Sequence, residues 1–255
     1  MYTETMNRLS DAARNKIDFL NRSFGKYFIS SLWAGAFVGL GIFLIMVIGG
    51  IGMVSGSAYT KMLMGVSFGV ALSLVIMSGT ELFTGNTMVM TVGTLDKSTN
   101  WKQTFKVWGS SYVGNFAGAL VVALLILGTQ INGSASGDFI VNLSEAKMNQ
   151  SFWTLFFKGV LCNILVCLAV LSNYRLKSES ARFIMVFWCL FAFITSGFEH
   201  SVANMTVFLM GLMLEHPDSV SLIGMANNLI PVTLGNIAGG SIFMGASIYY
   251  MGKEA

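Results

Sequence analysis

Six apolar stretches punctuate the chain, at residues 27–53, 62–95, 107–129, 152–173, 182–213 and 227–251. Each approaches or exceeds the roughly 20 residues a helix needs to cross a hydrocarbon core about 30 Å thick, so the pattern predicts helical membrane spans. The second and fifth run past thirty residues and carry Gly, Glu and Asn at their middle, which predicts two helices broken inside the membrane. Ahead of the first stretch lies a charged run from Arg8 to Lys26, and the apolar run after it is too long for a cleavable signal. The expected division is a cytoplasmic helix over 1–26, a membrane domain over 27–251 and a cytoplasmic tail over 252–255.

The two halves repeat, over about 27–129 and 152–251. Ser78-Gly79-Thr80-Glu81-Leu82-Phe83-Thr84-Gly85-Asn86 aligns with Ser196-Gly197-Phe198-Glu199-His200-Ser201-Val202-Ala203-Asn204 at an offset of 118 residues. Gly114-Asn115-Phe116-Ala117-Gly118 matches Gly235-Asn236-Ile237-Ala238-Gly239 at an offset of 121. Three spans per half is an odd number, so the second copy is expected to enter the membrane inverted. A break facing lipid would strand backbone groups at several kcal/mol each. The two breaks are therefore expected to face each other across a pathway near the midplane, with amides and positive half-helix ends turned toward anions.

Composition supports this picture. The chain is 54% hydrophobic and 11% charged, against about a quarter charged in soluble proteins, which excludes a water-soluble fold. With the N-terminus inside, twelve Lys and Arg fall in inner stretches and two, Lys61 and Lys147, outside; Lys158 sits within the fourth stretch. That bias places both termini in the cytoplasm and the chain in the inner membrane as a multi-pass protein. No basic patch interleaved with aromatics points to nucleic acid. Cys162, Cys167 and Cys189 lie in apolar segments without a second Cys or His at ligand spacing, and read as core; no metal or cofactor is expected.

Among chemically capable residues, Glu81 and Glu199 are expected to satisfy loop amides while Gly79 and Gly197 permit tight turns. Asn86 and Asn204 complete the shared scaffold. His200 differs: it is one of two histidines, and an ionisable group at membrane depth is a functional candidate, the alternative being a neutral imidazole bonded within the core. His216, beside Glu215 and Asp218, reads as solvated. Lys147 lies just outside the fourth stretch and Lys158 about three turns further on; either raises the local anion concentration if it faces a vestibule, and Lys158 calls for an interior polar partner. Gly35, Gly39 and Gly41, with Gly114 and Gly118, and Gly235, Gly239 and Gly240, read as helix-packing ridges. An intramembrane enzyme would need a nucleophile with its base or a ligand cluster, and a two-histidine haem needs a second buried histidine; neither pattern is present in the sequence.

The run Glu81 to Asn86, the run Gly197 to Met205, and Asn228-Leu229-Ile230-Pro231-Val232-Thr233-Leu234-Gly235-Asn236 together resemble the formate/nitrite transporter family over essentially the whole chain. The resemblance implies a homopentamer of aquaporin-like protomers, all-α, each with six spans in two inverted repeats and its own pore for small monovalent anions. It implies that Leu82, Phe83 and Thr84 form a mobile loop and that Phe68, Leu72 and Phe193 form apolar constrictions. His200 matches the central pore histidine, and Lys147 and Asn163, sixteen residues apart, an outer lysine and a polar neighbour deeper in the fourth stretch. The helix containing Lys16, with the Leu82–Thr84 loop, looks most similar to the hydrosulfide channels, nitrite and formate being the alternatives. A bare anion loses hydration between Leu72, Phe193 and Leu82, whereas its conjugate acid crosses more cheaply. The expected mechanism is attraction to a vestibule, protonation near His200 and Thr84, and release of the proton on the far side.

Overall fold

The computed structural model describes residues 2–253, and every regular element among them is helical. Beyond Lys253, the expected tail lies outside the described residues. Helix α1 (Tyr2–Arg22) buries Met6, Leu9, Ala13, Ile17 and Leu20 on one face, the spacing of an amphipathic helix. That face packs on α4 and on the chain's last helix. The first apolar stretch is α2 (Phe24–Ser55). The second divides into α3 (Thr60–Ser78) and α4 (Phe83–Leu95), and the third is α5 (Trp101–Leu127). Beyond α6 (Ala135–Met148), the fourth is α7 (Phe152–Arg175). The fifth divides into α8 (Glu179–Thr195) and α9 (Ser201–Met213); the sixth starts as α10 (Leu222–Ala238) and ends as α11 (Ser247–Gly252).

Five of these runs are long and apolar enough to cross a membrane: α2, α3, α5, α7 and the continuous helix Leu222–Gly252. Packing follows the repeat. Helix α2 lies against α5 and α3, α7 lies against α10 and α8, and α3 meets α8 between the halves. Glycine sets how closely these pairs approach. A Cβ on Gly118 of α5 would collide with the Leu32 carbonyl of α2, and one on the matching Gly239 with the Val160 carbonyl of α7.

Two features differ from expectation. The connection between the third and fourth apolar stretches, which the apolar pattern does not mark as helical, holds α6, capped by the Ser134 hydroxyl accepting the Gly137 N–H at 3.2 Å. Asp138 in its first turn and Lys147 in its last complement the helix dipole, and a buried stripe of Ile140, Ser144 and Met148 docks it on the bundle. The last span is not a uniform α-helix: Gly239–Ala246 widens into a π-helix. It lies against α4, where a Cβ on Gly240 would collide with the Thr87 hydroxyl, so the wider turn and bare backbone accommodate the neighbouring helix.

Candidate functional site

Both breaks are built the same way. Gly79 (φ 64°) and Gly197 (φ 71°) adopt the left-handed conformation that ends α3 and α8, where a side chain would be strained. Their N–H groups bond Ile76 and Ile194 carbonyls at 3.2 and 3.0 Å, and the next residues, Thr80 and Phe198, bond Val75 and Phe193 at 3.2 and 3.0 Å. The chain then runs extended and re-enters helix at Leu82 and His200, the residues that cap α4 and α9.

One buried asparagine holds each break. Asn115 of α5 accepts the Phe83 N–H through Oδ1 at 2.9 Å and donates through Nδ2 to the Glu81 carbonyl at 3.0 Å and the Ser31 carbonyl at 2.7 Å. Asn236 of α10 accepts the Ser201 N–H at 2.9 Å and donates to the Glu199 carbonyl at 3.0 Å and the Gly159 carbonyl at 2.8 Å. Sequence reasoning took these asparagines only as part of the repeat and, for Asn236, of the family-like run, and gave neither a role. Their signal was the repeated Gly-Asn-x-Ala-Gly itself, since an amide kept at one buried position in both copies needs polar partners.

With the backbone groups taken, Glu81 and Glu199 are not the amide ligands that were expected. Glu81 accepts Lys16 Nζ on both oxygens at 2.8 Å, Tyr27 Oη at 3.1 Å and Asn86 Nδ2 at 3.0 Å. Glu199 accepts Lys147 Nζ on both oxygens at 2.8 Å and Asn204 Nδ2 at 2.6 Å. The carboxylates are 6% and 2% exposed, and a charge so placed needs a hydrogen-bonded counter-charge. Burial alone would lower the Lys16 ammonium, but the Glu81 carboxylate outweighs it and holds the group above the ordinary lysine value.

At the centre, Val38, Phe68, Ala71, Leu72, Leu82, Val166, Leu190, Phe193 and His200 enclose a narrow space of about 10 Å³, room for about one water. Phe68 and Phe193 meet edge to face at 5.5 Å, and Phe193 stacks beside the imidazole at 6.1 Å. A cavity of about 620 Å³ opens on the Lys147 side, lined also by Lys158, Glu199 and Phe198. A smaller one of about 160 Å³ opens on the Lys16 side, lined by Thr80, Leu82, Asn86, Asn173 and Tyr174.

His200 Nδ1 accepts the Ala203 N–H at 3.2 Å, and Nε2 lies 3.0 Å from Thr84 Oγ1. With Nδ1 an acceptor, the ring is neutral and its proton sits on Nε2, donated to Thr84; this tautomer follows from the bonding pattern. The imidazole thus caps α9 and also lines the narrow space.

The structure brings together only some of the residues named from sequence. Leu72, Leu82, Phe68, Phe193 and His200 share the constriction, while Thr84 stands behind the imidazole, fully buried. Phe83 points away to meet Tyr112 edge to face at 4.9 Å, and it and Thr84 belong to the first turn of α4 rather than to a loop. Asn163 lies buried deeper in α7, where its Nδ2 donates to Thr87 Oγ1 at 2.9 Å and the Asn236 carbonyl at 2.5 Å. Lys147 lies at the end of α6, outside the fourth span, and Lys158 within α7, and both line the same cavity. Lys158 has its polar partner in Gln150 Oε1 at 2.7 Å, and His216 is exposed.

The sequence profile described as formate/nitrite transporter matches residues 3–250. The nitrite transporter NirC of Escherichia coli is 39% identical over 100% of this chain and 94% of its own. A solved channel described as an FNT family ion channel superposes with a TM-score of 0.92 at 38% identity, covering 98% of this chain and 99% of that one. A pentameric formate channel with formate bound superposes with a TM-score of 0.75 at 28% identity, over 89% and 96%.

Proposed function

This chain belongs to the formate/nitrite transporter family, and we propose that it is a six-span pore carrying a small weak-acid anion together with one proton. Channels and transporters make up that family, so the protein is a membrane transport protein and not an enzyme.

The observation that carries the reading is the sequence of environments along one path: a cavity with lysines, an apolar constriction of about 10 Å³ edged by one neutral imidazole, and a second polar cavity. A dehydrated anion between Leu72, Leu82 and Phe193 would lie in a medium that stabilises no charge, whereas the neutral acid passes at the cost of a few hydrogen bonds. His200 Nε2–H, held by Thr84 Oγ1 in this structure, is the donor that turns to the passing acid and replaces one of them. Because Nδ1 is occupied by the Ala203 N–H, the imidazole acts as a fixed donor. The proton therefore reaches the anion from vestibule water and leaves to water on the far side.

The matching breaks, asparagine clamps and Glu–Lys pairs support two inverted repeats, about 27–129 and 152–251, in an aquaporin-like protomer. The excess of Lys and Arg on one side supports an inner-membrane protein with both termini cytoplasmic. The Lys147 side is then the outer vestibule and the Lys16 side the inner one, beneath a cytoplasmic helix over 1–26. The pentameric neighbour supports a homopentamer with a pore in each protomer.

Nitrite is placed first among the anions, because the relative named for it matches over nearly the full length of both chains. Hydrosulfide, favoured from the sequence, and formate are the competitors. Uptake of the three by purified protein in liposomes, compared across pH, decides among them. Nitrite flux is expected to be largest and to rise as pH falls; no flux of any of them above that of protein-free vesicles would refute the pore.

A further inference from the structure

The ends of α2 and α5 beside α1 form a corner that the pore does not use. Lys106 of α5 reaches across to Asn21, in the last turn of α1, and donates to its Oδ1 at 3.0 Å. Arg22 follows Asn21, Lys26 lies in the first turn of α2, and Lys102 stands one turn before Lys106; all four cations are exposed. Among the described residues none of the four is ion-paired with a carboxylate. Rings accompany them. Phe24 stacks on Phe28 at 6.2 Å, Trp101 meets Phe105 at 6.0 Å, and Phe24, Trp101 and Phe105 are exposed. A Cβ on Gly114 of α5 would meet Ser31 and the Phe28 carbonyl of α2, so the two helix ends lie side by side.

The second half of the chain supplies a comparison. The two asparagine clamps align Ser31 with Gly159 and Asn115 with Asn236. In those registers Phe24 and Phe28 fall opposite Phe152 and Phe156, so part of the aromatic surface is duplicated. Arg22, Lys26, Lys102 and Lys106 instead fall opposite Gln150, Thr154, Ile223 and Asn227. The shared scaffold therefore does not require the four cations, and the charge is particular to one corner.

From unneutralised cations set among exposed rings, and resting on the membrane orientation proposed above, we infer that this corner binds an anionic phospholipid of the inner leaflet. Lys102, Lys106 and Arg22 receive its phosphodiester, and Phe24 and Phe105 receive the upper part of its acyl chains. Aromatic rings at a membrane interface sit at headgroup level, and long basic side chains lay their apolar stems along the surface while the charge reaches the headgroups. Each basic residue close to an anionic leaflet strengthens the attraction about fivefold. A phosphate held there also ties α5 to the junction of α1 and α2, beside the bond from Lys106 to Asn21.

The test places the full chain in phosphatidylcholine vesicles that carry a small fraction of phosphatidylglycerol or phosphatidylcholine with brominated acyl chains, which quench nearby tryptophan. The contribution of Trp101 is the difference between the unmodified protein and Trp101→Phe. Brominated phosphatidylglycerol should quench it as strongly as about five times as much brominated phosphatidylcholine, the effect of about one basic side chain on the phosphate. The preference should vanish in about 1 M salt, where the screening length falls to about 3 Å. Lys102→Gln combined with Lys106→Gln should abolish it, the same two positions changed to Arg should retain it, and Lys177→Gln, in the connection between α7 and α8, should leave it unchanged. Equal quenching of the unmodified protein by the two lipids overturns the proposal. So does an equal loss in Lys177→Gln, which would mark attraction by the whole face rather than a site. If the double Gln variant fails to insert, the salt dependence of the unmodified protein decides: a preference that survives about 1 M salt overturns the proposal. None of these readouts involves transport, so failure here leaves the pore reading intact.

Discussion

Replacing Asn236 with Ala removes an acceptor and a forked donor from the second break. Two groups are left without partners: the Ser201 N–H, at the start of α9 where no helical acceptor exists, and the Glu199 carbonyl in the extended segment before it. The Gly159 carbonyl lies within α7 and keeps the company of its own helix. A buried polar group left unmet costs about 1–3 kcal/mol, so two of them should cost about 2–6 kcal/mol. An ordinary hydrogen bond between membrane helices contributes far less, about 0.6 kcal/mol. Tyr112→Phe, which deletes the 3.0 Å bond between Tyr112 Oη and Thr233 Oγ1, supplies that reference within the same protein. Unfolding of the purified protein in mixed micelles of rising SDS fraction measures both variants, and Asn115→Ala should match Asn236→Ala. If the asparagine variants cost no more than Tyr112→Phe, the breaks are not held by these side chains and the reasoning fails.

Other outcomes follow from the same geometry. Lys16→Met leaves Glu81 buried without its cation and should cost about 3–5 kcal/mol in the unfolding assay, most of it recovered in the Lys16→Met, Glu81→Gln double variant; equal losses in both would contradict the pairing. Because the folded-state value of Lys16 is raised, the pair's stabilisation is fully present below the ordinary lysine value of about 10.4 and is lost only as pH climbs through the higher one; loss of the difference between Lys16→Met and the unmodified protein already at pH 8 would contradict this. His200→Phe removes the donor at the constriction and should slow flux about tenfold, the effect of one hydrogen bond, whereas an unchanged rate would remove His200 from the path. Phe193→Ala opens the wall facing His200, so flux should depend less steeply on pH as hydrated anions enter; an unaltered pH slope would show that the apolar wall does not select the neutral acid.

What the sequence made legible was what repeats locally. Apolar run length marked the helices, Gly79 and Gly197 marked the breaks, and the recurrence of Ser-Gly-x-Glu-x-x-x-x-Asn marked two similar units. The partners of those motifs were hidden because they come from distant segments. Lys16 lies 65 residues from Glu81, and Lys147 lies 52 from Glu199, separations that no helical period encodes. The partners of Asn163 were hidden for the same reason: its amide reaches Thr84 and Thr87, 79 and 76 residues away. Helix α6 was readable in principle from Ser134, Asp138 and Lys147 at its ends, but its short polar stretch does not register on a membrane-span scale. The π-helical segment leaves no sequence period of its own; only Gly239-Gly240 hints that another helix approaches there.

The central claim is that anion and proton cross together as a neutral species. Liposomes holding the purified protein and an internal pH dye, with the membrane potential clamped by potassium and valinomycin, test it directly. Nitrite added outside should enter at a rate independent of the potential and acidify the interior by one proton per anion, above the rate of protein-free vesicles. Entry that follows the potential without internal acidification would contradict the account.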